Sequence, residues 1–439
     1  MRKSIYDMSV FKERRDRLAK LLNGAALVLP AHPEYVRNHD VHHSYRQDSN
    51  LFYLSGFEEP ESVFVFRPGR SPETVLFVRD KNPLRETWDG FRYGPKLAQT
   101  EFGVDAAFIV DDFEKEAPAL LRDVDVVYYS LFMNTDFDVR FRHVIETVKA
   151  SWGRSGKGNL AIKDSVPLIG EMRVRKTPYE IEVMQKAADI SAEAHIEVMK
   201  ATRPGVSERA LHGLFIKEIM ERGAAREGYG TIVAGGNNAT TLHYVFNDQP
   251  LKDGEIMLID AGAEYHYYSG DITRSYPVSG KFNGAQKRVY QKVLDVQKRM
   301  VAMVKPGVTL KQLQETARNE LIDVMIDEKL LKGSKDQIVE EKSYLAFYPH
   351  GVSHWLGMDV HDAGAYEVNG ESRQLEPGFC ITVEPGLYVP AHLDNVPEEL
   401  KGIGIRIEDN IVVTEDGHGN LTDRAPKEVD ELEAIIGQG

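Results

Sequence analysis

Leu251-Lys-Asp-Gly254-Glu-Ile-Met-Leu-Ile-Asp260-Ala-Gly262 and Leu375-Glu-Pro-Gly378-Phe-Cys-Ile-Thr-Val-Glu384-Pro-Gly386 align position for position without a gap. Each stretch has Leu, then Gly three residues later, an apolar strand, an acid, and Gly two after the acid. Four retained positions at a constant offset indicate an internal duplication. Two related halves, each ending a strand in a carboxylate, bring those carboxylates near each other if the halves pack about a pseudo-twofold axis.

Working outward, Asp271 stands in Gly270-Asp-Ile-Thr-Arg274, after a turn near Tyr265–His266, and a hairpin is expected to set Asp260 and Asp271 opposite each other. In the second half Glu408 lies in Ile405-Arg-Ile-Glu-Asp409, on a strand paired with the one ending in Glu384 through the Pro-rich loop Pro390–Gly402. Strand alternation puts Thr382 with Glu384, and Arg406 with Glu408, on shared faces. A lone acid at a strand end is ordinarily a solvated cap. Four on matched hairpins in nearly the same apolar context are something else, because like charges a few ångströms apart disfavour each other's ionisation. A cation is the usual remedy, and bridging carboxylates suggest two cations about 3.5–4 Å apart. One imidazole, His354, completes an oxygen-rich set, which favours Mn2+ or Co2+ by hardness, with Zn2+ also admissible by affinity.

The 439-residue chain exceeds one ordinary core and points to two domains or three small ones. Its 42% hydrophobic and 28% charged residues are those of a globular protein. The net charge of −14 argues against nucleic acid as partner, since phosphate contacts need clustered Lys and Arg, and is the wrong sign for an anionic membrane surface. The single cysteine, Cys380, lies in the apolar run Phe379-Cys380-Ile381, as a buried small hydrophobe does. It permits no intrachain disulfide and suits a reducing compartment. Met1-Arg2-Lys3 is followed by polar residues, with no signal-peptide core. No run of about eighteen apolar residues occurs, so a cytoplasmic location is expected.

The first third mixes helix and strand signals. Ser9 is placed to cap a helix through Leu22 with Phe11, Leu18 and Leu21 on one side. Ala26–Leu29, Val63–Phe66, Val75–Val78 and Val124–Ser130 read as strands. Neither GxGxxG nor a P-loop accompanies them. Gly153–Lys157 (GRSGK) is a break that could start the interdomain connection. Thr177-Pro178-Tyr179-Glu180 has capping-box spacing with proline at the first helical position, and Ile181, Met184, Ala188, Ala192, Ile196 and Met199 follow on one face to Pro204-Gly205. Two more amphipathic helices are expected at Ser207–Arg222 and Gly284–Val304. The expected domains are 1–172 and 173–439, in an α/β (α+β) chain.

The segment His350-Gly-Val-Ser-His354-Trp-Leu-Gly357-Met-Asp-Val-His361-Asp362 resembles the signature of proline peptidases in the creatinase/methionine aminopeptidase family. Ser44–Phe57 is similar to the N-terminal domain of bacterial aminopeptidase P, and Leu375–Val389 with Gly402–Asp409 (GIGIRIED) to its C-terminal half. The resemblance covers nearly the whole chain. It implies a creatinase-like N-terminal α/β domain followed by a "pita-bread" catalytic domain of two pseudo-symmetric halves, in agreement with the repeat. It also implies that Asp271 and Glu408 bridge two metals, that Asp260 completes one, and that His354 and Glu384 complete the other. The family's other active-site histidines fall on His243, in Thr241-Leu-His-Tyr, and on His361. Arg406 matches the arginine that supports the metal carboxylates, and Asp40, Trp88 and Tyr388 fall at substrate-side positions.

The activity so implied is release of the residue in front of a proline at a peptide's N-terminus, by a homodimer or homotetramer. Water acidified by two divalent ions attacks the scissile carbonyl. Glu384 takes the proton and passes it to the proline nitrogen, and His243 and His361 donate hydrogen bonds to substrate and to the developing oxygen. Proline has no amide N–H and a fixed φ, so a site shaped to its ring can select it. A Xaa-Pro dipeptidase shares the same ligands but must exclude longer peptides. Asp362-Ala363-Gly364 after His361 departs from the methionine aminopeptidase pattern, and the complete ligand set departs from metal-free creatinases and binding proteins of the fold.

Overall fold

In the computed structural model, which describes residues 7–154 and 160–438, the chain divides into two units, Met1–Met172 and Arg173–Gly439. In the first unit Ala26–Pro30 pairs antiparallel with Val63–Phe66 and parallel with Val126–Tyr128. Thr74–Val78 and Ala106–Ile109 extend the sheet on one side, and Ala161–Lys163 on the other, giving six strands. The central strands are buried throughout, which is why they read as unbroken apolar runs. The helix Thr135–Trp152 lays Phe137, Phe141, Val144 and Val148 into the core they share with the sheet.

Two local expectations are corrected here. The first helix, Met8–Leu22, is capped by Asp7, whose carboxylate accepts from the Ser9 N–H at 2.9 Å, so Ser9 sits inside the first turn. Phe11 and Leu18 are buried as expected, but Leu21 is half exposed and Leu22 takes the core position. The break at Gly153 follows the Thr135–Trp152 helix but does not start the interdomain connection. The chain returns to the same sheet at Ala161–Lys163, parallel to Val126–Tyr128. Residues 155–159 of that break lie outside the described residues.

In the second unit the helix Pro178–Ala201 opens with the expected capping box between Thr177 and Glu180. Met184, Ala188, Ala192 and Met199 are buried, whereas Ile181 and Ile196 flank the buried face. The small residues face the backbone: a Cβ at Gly270 would lie 2.7 Å from the Ser191 hydroxyl and 3.2 Å from the Ala187 carbonyl oxygen. Helices Glu208–Glu221 and Gly284–Met303 follow, capped by Ser207 and Asn283.

The repeat folds into two like ladders. Ile256–Asp260 pairs antiparallel with Thr273–Pro277, and Cys380–Val383 with Asp409–Val413, with corresponding residues on corresponding rungs. Beyond each acid the chain enters a second short ladder: Ala263–Tyr265 with Tyr268–Ser269, and Gly386–Val389 with Ile403–Arg406. The four retained positions have physical causes. Leu251 and Leu375 are buried in one core. Gly254 and Gly378 turn with φ of 79° and 85°, where a side chain is strained. A Cβ at Gly262 would meet the Gly270 carbonyl oxygen at 1.8 Å, and one at Gly386 the Tyr388 hydroxyl at 2.5 Å. One expectation fails in detail: Asp260 lies opposite Thr273, not Asp271. Asp271 belongs to the link Gly270–Ile272 between ladders, outside both strand registers, where its N–H donates to the Asn410 side chain at 3.0 Å.

Candidate active site

Both halves therefore place their acids at the junction of two ladders, where pairing is interrupted. Asp260 ends its strand, Asp271 lies in a link, and Glu384 and Glu408 lie between the second half's ladders. The histidine segment is fixed by the second half: Leu356 N donates to Cys380 O, Thr382 N to His354 O and Glu384 N to Val352 O. Thus 352–356 runs along the free edge of Cys380–Val383 as an irregular extra strand of its three-stranded sheet, and His354 meets Glu384. Further along, Asp362 is gripped by Arg173 and Lys176, with Lys176 Nζ 2.9 Å from Oδ2 and all three side chains buried. That clamp holds the turn carrying His361.

A cavity of about 570 Å3 opens at this junction, lined by Asp260, Asp271, Glu384 and Glu408 and by four histidines, 243, 350, 354 and 361. Thus eight of the eleven residues singled out in the sequence line this cavity, and a ninth, Tyr388, is bonded to one of them. His354 Nε2 lies 3.5 Å from Asp271 Oδ2 and 3.5 Å from Glu384 Oε1. Donor atoms of Asp271, His354 and Glu408 fall within 4.8 Å of one another. Arg406, the only lysine or arginine among the described lining residues, donates from Nη2 to Asp260 Oδ2 at 2.5 Å and from Nε to Thr273 Oγ1 at 3.0 Å. Thr273 in turn donates to Glu408 Oε2 at 2.6 Å. The rings of His354 and His361 meet edge to face at 4.5 Å.

Three substrate-side expectations have different outcomes. Tyr388 is only 2% exposed and stands behind the cavity wall. Its hydroxyl accepts from Arg406 Nη1 at 3.0 Å and lies 2.8 Å from His350 Nε2, so it touches the site through Arg406 and His350. Trp88 is 87% exposed on the Pro83–Asp89 helix of the first unit, and Asp40 is exposed in a turn.

Residues that the sequence reading passed over also shape the site, Tyr229 in its lining and Thr273 buried behind it. Tyr229 places its hydroxyl 2.6 Å from Asp260 Oδ1 and 2.5 Å from Asp271 Oδ1. Nothing in Gly228-Tyr229-Gly230 signals this. Thr273 could have been found by extending the repeat to the return strands, since it occupies the rung equivalent to Glu408.

The electrostatics state what is needed here. Burial pushes Glu384 up to about 7 against the pull of His354 and Arg406, with repulsion from Asp271 and Asp260 adding to the rise. Burial, then repulsion from Asp271 and Glu384, drives Glu408 far above the carboxylate range, and burial raises Asp271. His354 goes the other way: burial would lower it, but Asp271 and Glu384 bring it up to about 9. Two features test whether divalent metal fits. His354 Nδ1 is 2.9 Å from the Trp355 carbonyl oxygen, so it carries the hydrogen, and the Nε2 lone pair of the neutral ring points at two carboxylates. Tyr229 has one proton for two carboxylate oxygens. Without a cation the first cluster is held by a proton on His354 and the second by the Tyr229 hydrogen; a divalent cation in place of the His354 proton turns both into ligand sets, so the residues fit the group.

Comparisons with known proteins agree. The family model "Metallopeptidase family M24" matches residues 182–415, and "Aminopeptidase P, N-terminal domain" matches residues 11–128. The chain is 38% identical to the Xaa-Pro aminopeptidase of Haemophilus influenzae over 435 residues, covering 97% of this chain and 96% of that one. Aminopeptidase PepP of Pseudomonas aeruginosa superposes with a TM-score of 0.94 at 42% identity, with 98% of each chain covered. Zinc-substituted aminopeptidase P of Escherichia coli in complex with product superposes with a TM-score of 0.93 at 38% identity, again with 98% of each covered. The chain thus belongs to metallopeptidase family M24, metal-dependent hydrolases, in the Xaa-Pro aminopeptidase group that couples a pita-bread domain to an aminopeptidase P N-terminal domain.

Proposed function

We propose that this hydrolase removes the N-terminal residue from peptides with proline at the second position, using two divalent cations held by Asp260, Asp271, His354, Glu384 and Glu408, with Mn2+ as the favoured metal. The observation that carries the reading is the pair of clusters described above: His354 with Asp271 and Glu384, and Asp260 with Asp271 around Tyr229. Asp271 belongs to both, as a bridging ligand must. Bound there, divalent cations supply Lewis acidity toward water and a peptide carbonyl.

The chain's own groups do the rest. Glu384, which lines the cavity beside His354, takes a proton from water and delivers it to the departing proline nitrogen. His361, lowered by burial, stays neutral and donates an N–H toward the substrate oxygen. His243 also lines the cavity and donates likewise. Arg406 fixes Asp260 and, through Thr273, Glu408. Leu242, Val245, Ile232 and Val360 line the cavity with apolar surface suited to a pyrrolidine ring.

Asp40 and Trp88 are assigned to the substrate side, and exposed Leu84, Trp88 and Phe132 on the first unit support a homodimer or homotetramer. No helix among the described residues is long and apolar enough to cross a membrane, and the lone thiol of Cys380 is buried and free. Both suit the cytoplasm. Turnover of Gly-Pro against Gly-Pro-peptides tests the reading. An aminopeptidase hydrolyses both lengths, whereas activity confined to the dipeptide makes the protein a dipeptidase.

A further inference from the structure

His243 is exposed and lies in an irregular segment, 241–249, yet it faces the cavity. Such a loop has many conformations open to it, so something must hold the imidazole in place. Within 241–249 only Tyr244 and Asn247 are buried, and each is an anchor. Asn247 receives the Val233 N–H at 2.8 Å and donates to the Thr231 carbonyl oxygen at 2.8 Å. Tyr244, the residue after His243, packs its ring among Ile232, Ala234, Ala239, Leu258 and Tyr388. Its hydroxyl donates to Glu208 Oε2 at 2.9 Å.

Glu208 is completely buried and touches neither the cavity nor the carboxylate cluster. Its oxygens accept four hydrogen bonds: from Gly235 N at 2.8 Å, Asn238 Nδ2 at 2.9 Å, Tyr244 Oη and Gln249 N at 3.0 Å. A carboxylate so deeply placed persists only when its lone pairs are filled, and here the donors come from both sides of the segment bearing His243. One buried charge therefore ties the start and end of that segment to the strand edge at Gly235.

We infer that Glu208 and Tyr244 are positioning residues for His243: the Glu208–Tyr244 hydrogen bond fixes the backbone next to His243 and so sets where its imidazole stands over the substrate. The inference rests on the reading that His243 acts on substrate. A double-mutant cycle of Tyr244→Phe and His243→Ala tests it, with kcat, KM, metal content and thermal midpoint measured on each protein. Tyr244→Phe keeps the packed ring and removes one hydroxyl. It should retain full metal content and lower kcat/KM about tenfold, the factor carried by one hydrogen bond to a charged group. KM should rise and kcat fall, whereas mere loss of folded enzyme lowers kcat at constant KM. In the His243→Ala background the same change should have almost no effect on kcat/KM. If the two losses multiply, or if Tyr244→Phe alone leaves kcat/KM and KM unaltered, the positioning role is wrong while the reading of His243 stands. If His243→Ala itself is fully active, that underlying reading fails and takes the inference with it.

Discussion

Arg274 and Asp409 occupy the same rung of the two related ladders, opposite Ile259 and Val383, and they pair with each other across the junction of the halves. Arg274 Nη2 donates to Asp409 Oδ1 at 2.8 Å with neither side chain exposed. Arg274 also donates to the backbone oxygens of Glu408 and Thr273, and Asp409 accepts from Gln297, Thr422, Asn420 and Lys427. The duplication has thus diverged into opposite charges at its point of contact, and the pair holds the residues flanking a proposed bridging ligand.

Removing one partner from this pair should be costly. Arg274→Met leaves Asp409 buried with a weakened counter-charge, a change that typically costs about 3–5 kcal/mol. Denaturant unfolding of the metal-stripped protein measures it, and a loss below about 1 kcal/mol would show that the pair does not join the halves.

Acid should expose the same group. Burial alone would raise the Asp409 carboxyl, but Arg274 and Lys427 more than reverse this and hold it well below the usual carboxylate range. A depressed pKa contributes stability above the unfolded value, near 3.9, which is lost as pH falls through the folded one. In acid unfolding of the stripped protein, the advantage of the wild type over Asp409→Asn should therefore be constant above about pH 5 and shrink below about pH 4. A constant difference through that range would contradict the assignment.

The raised carboxylates predict the opposite sign for the empty cluster. Glu384, Glu408 and Asp271 prefer the protonated form when buried without metal. Folding then becomes less favourable as pH rises above their unfolded values of about 4, and for Glu384 the penalty is complete above about 7. Metal binding displaces those protons, so the thermal midpoint gained on reloading with Mn2+ should widen steadily from pH 5 to pH 8. An equal gain at both ends would mean that these carboxylates are not the ligands.

Chelation should abolish hydrolysis, with Mn2+ or Co2+ restoring it best, and Glu408→Ala should not be rescued by either ion. Near-native turnover in metal-free protein, or in Glu408→Ala, would overturn the metallopeptidase mechanism assigned to this cavity.

His354 and His361 should separate by metal content. His354→Ala should lower the metal bound at one of the two proposed sites. His361→Ala should keep the full complement and lose about 10²–10³ in kcat, the usual effect of removing one transition-state donor. Elemental analysis and kcat on both variants under identical loading decide it. Loss of metal from His361→Ala with two ions retained by His354→Ala would require their roles to be exchanged.

The sequence by itself determined the duplication, the strand-ending acids and the histidine segment, because these depend on short-range rules. Leu251 and Leu375 must be buried, Gly254 and Gly378 must turn, and Gly262 and Gly386 must let a facing strand approach. The Thr177–Glu180 capping box and the Ser207 and Asn283 caps are equally local. Only the tertiary structure decided which groups meet. Asp271 faces Asp260 through the Tyr229 hydroxyl and not through a strand register, because the chain leaves the ladder at Gly270 to pass under Ala187 and Ser191. Tyr388, placed on the substrate side by the resemblance, is buried with its hydroxyl against Arg406 and His350. Arg274–Asp409, the clamp on Asp362 and the Glu208 hub join residues far apart in the chain, and no periodicity records such pairings. Secondary structure follows from neighbours three or four residues away, whereas a buried charge is tolerable only where distant partners fill its lone pairs.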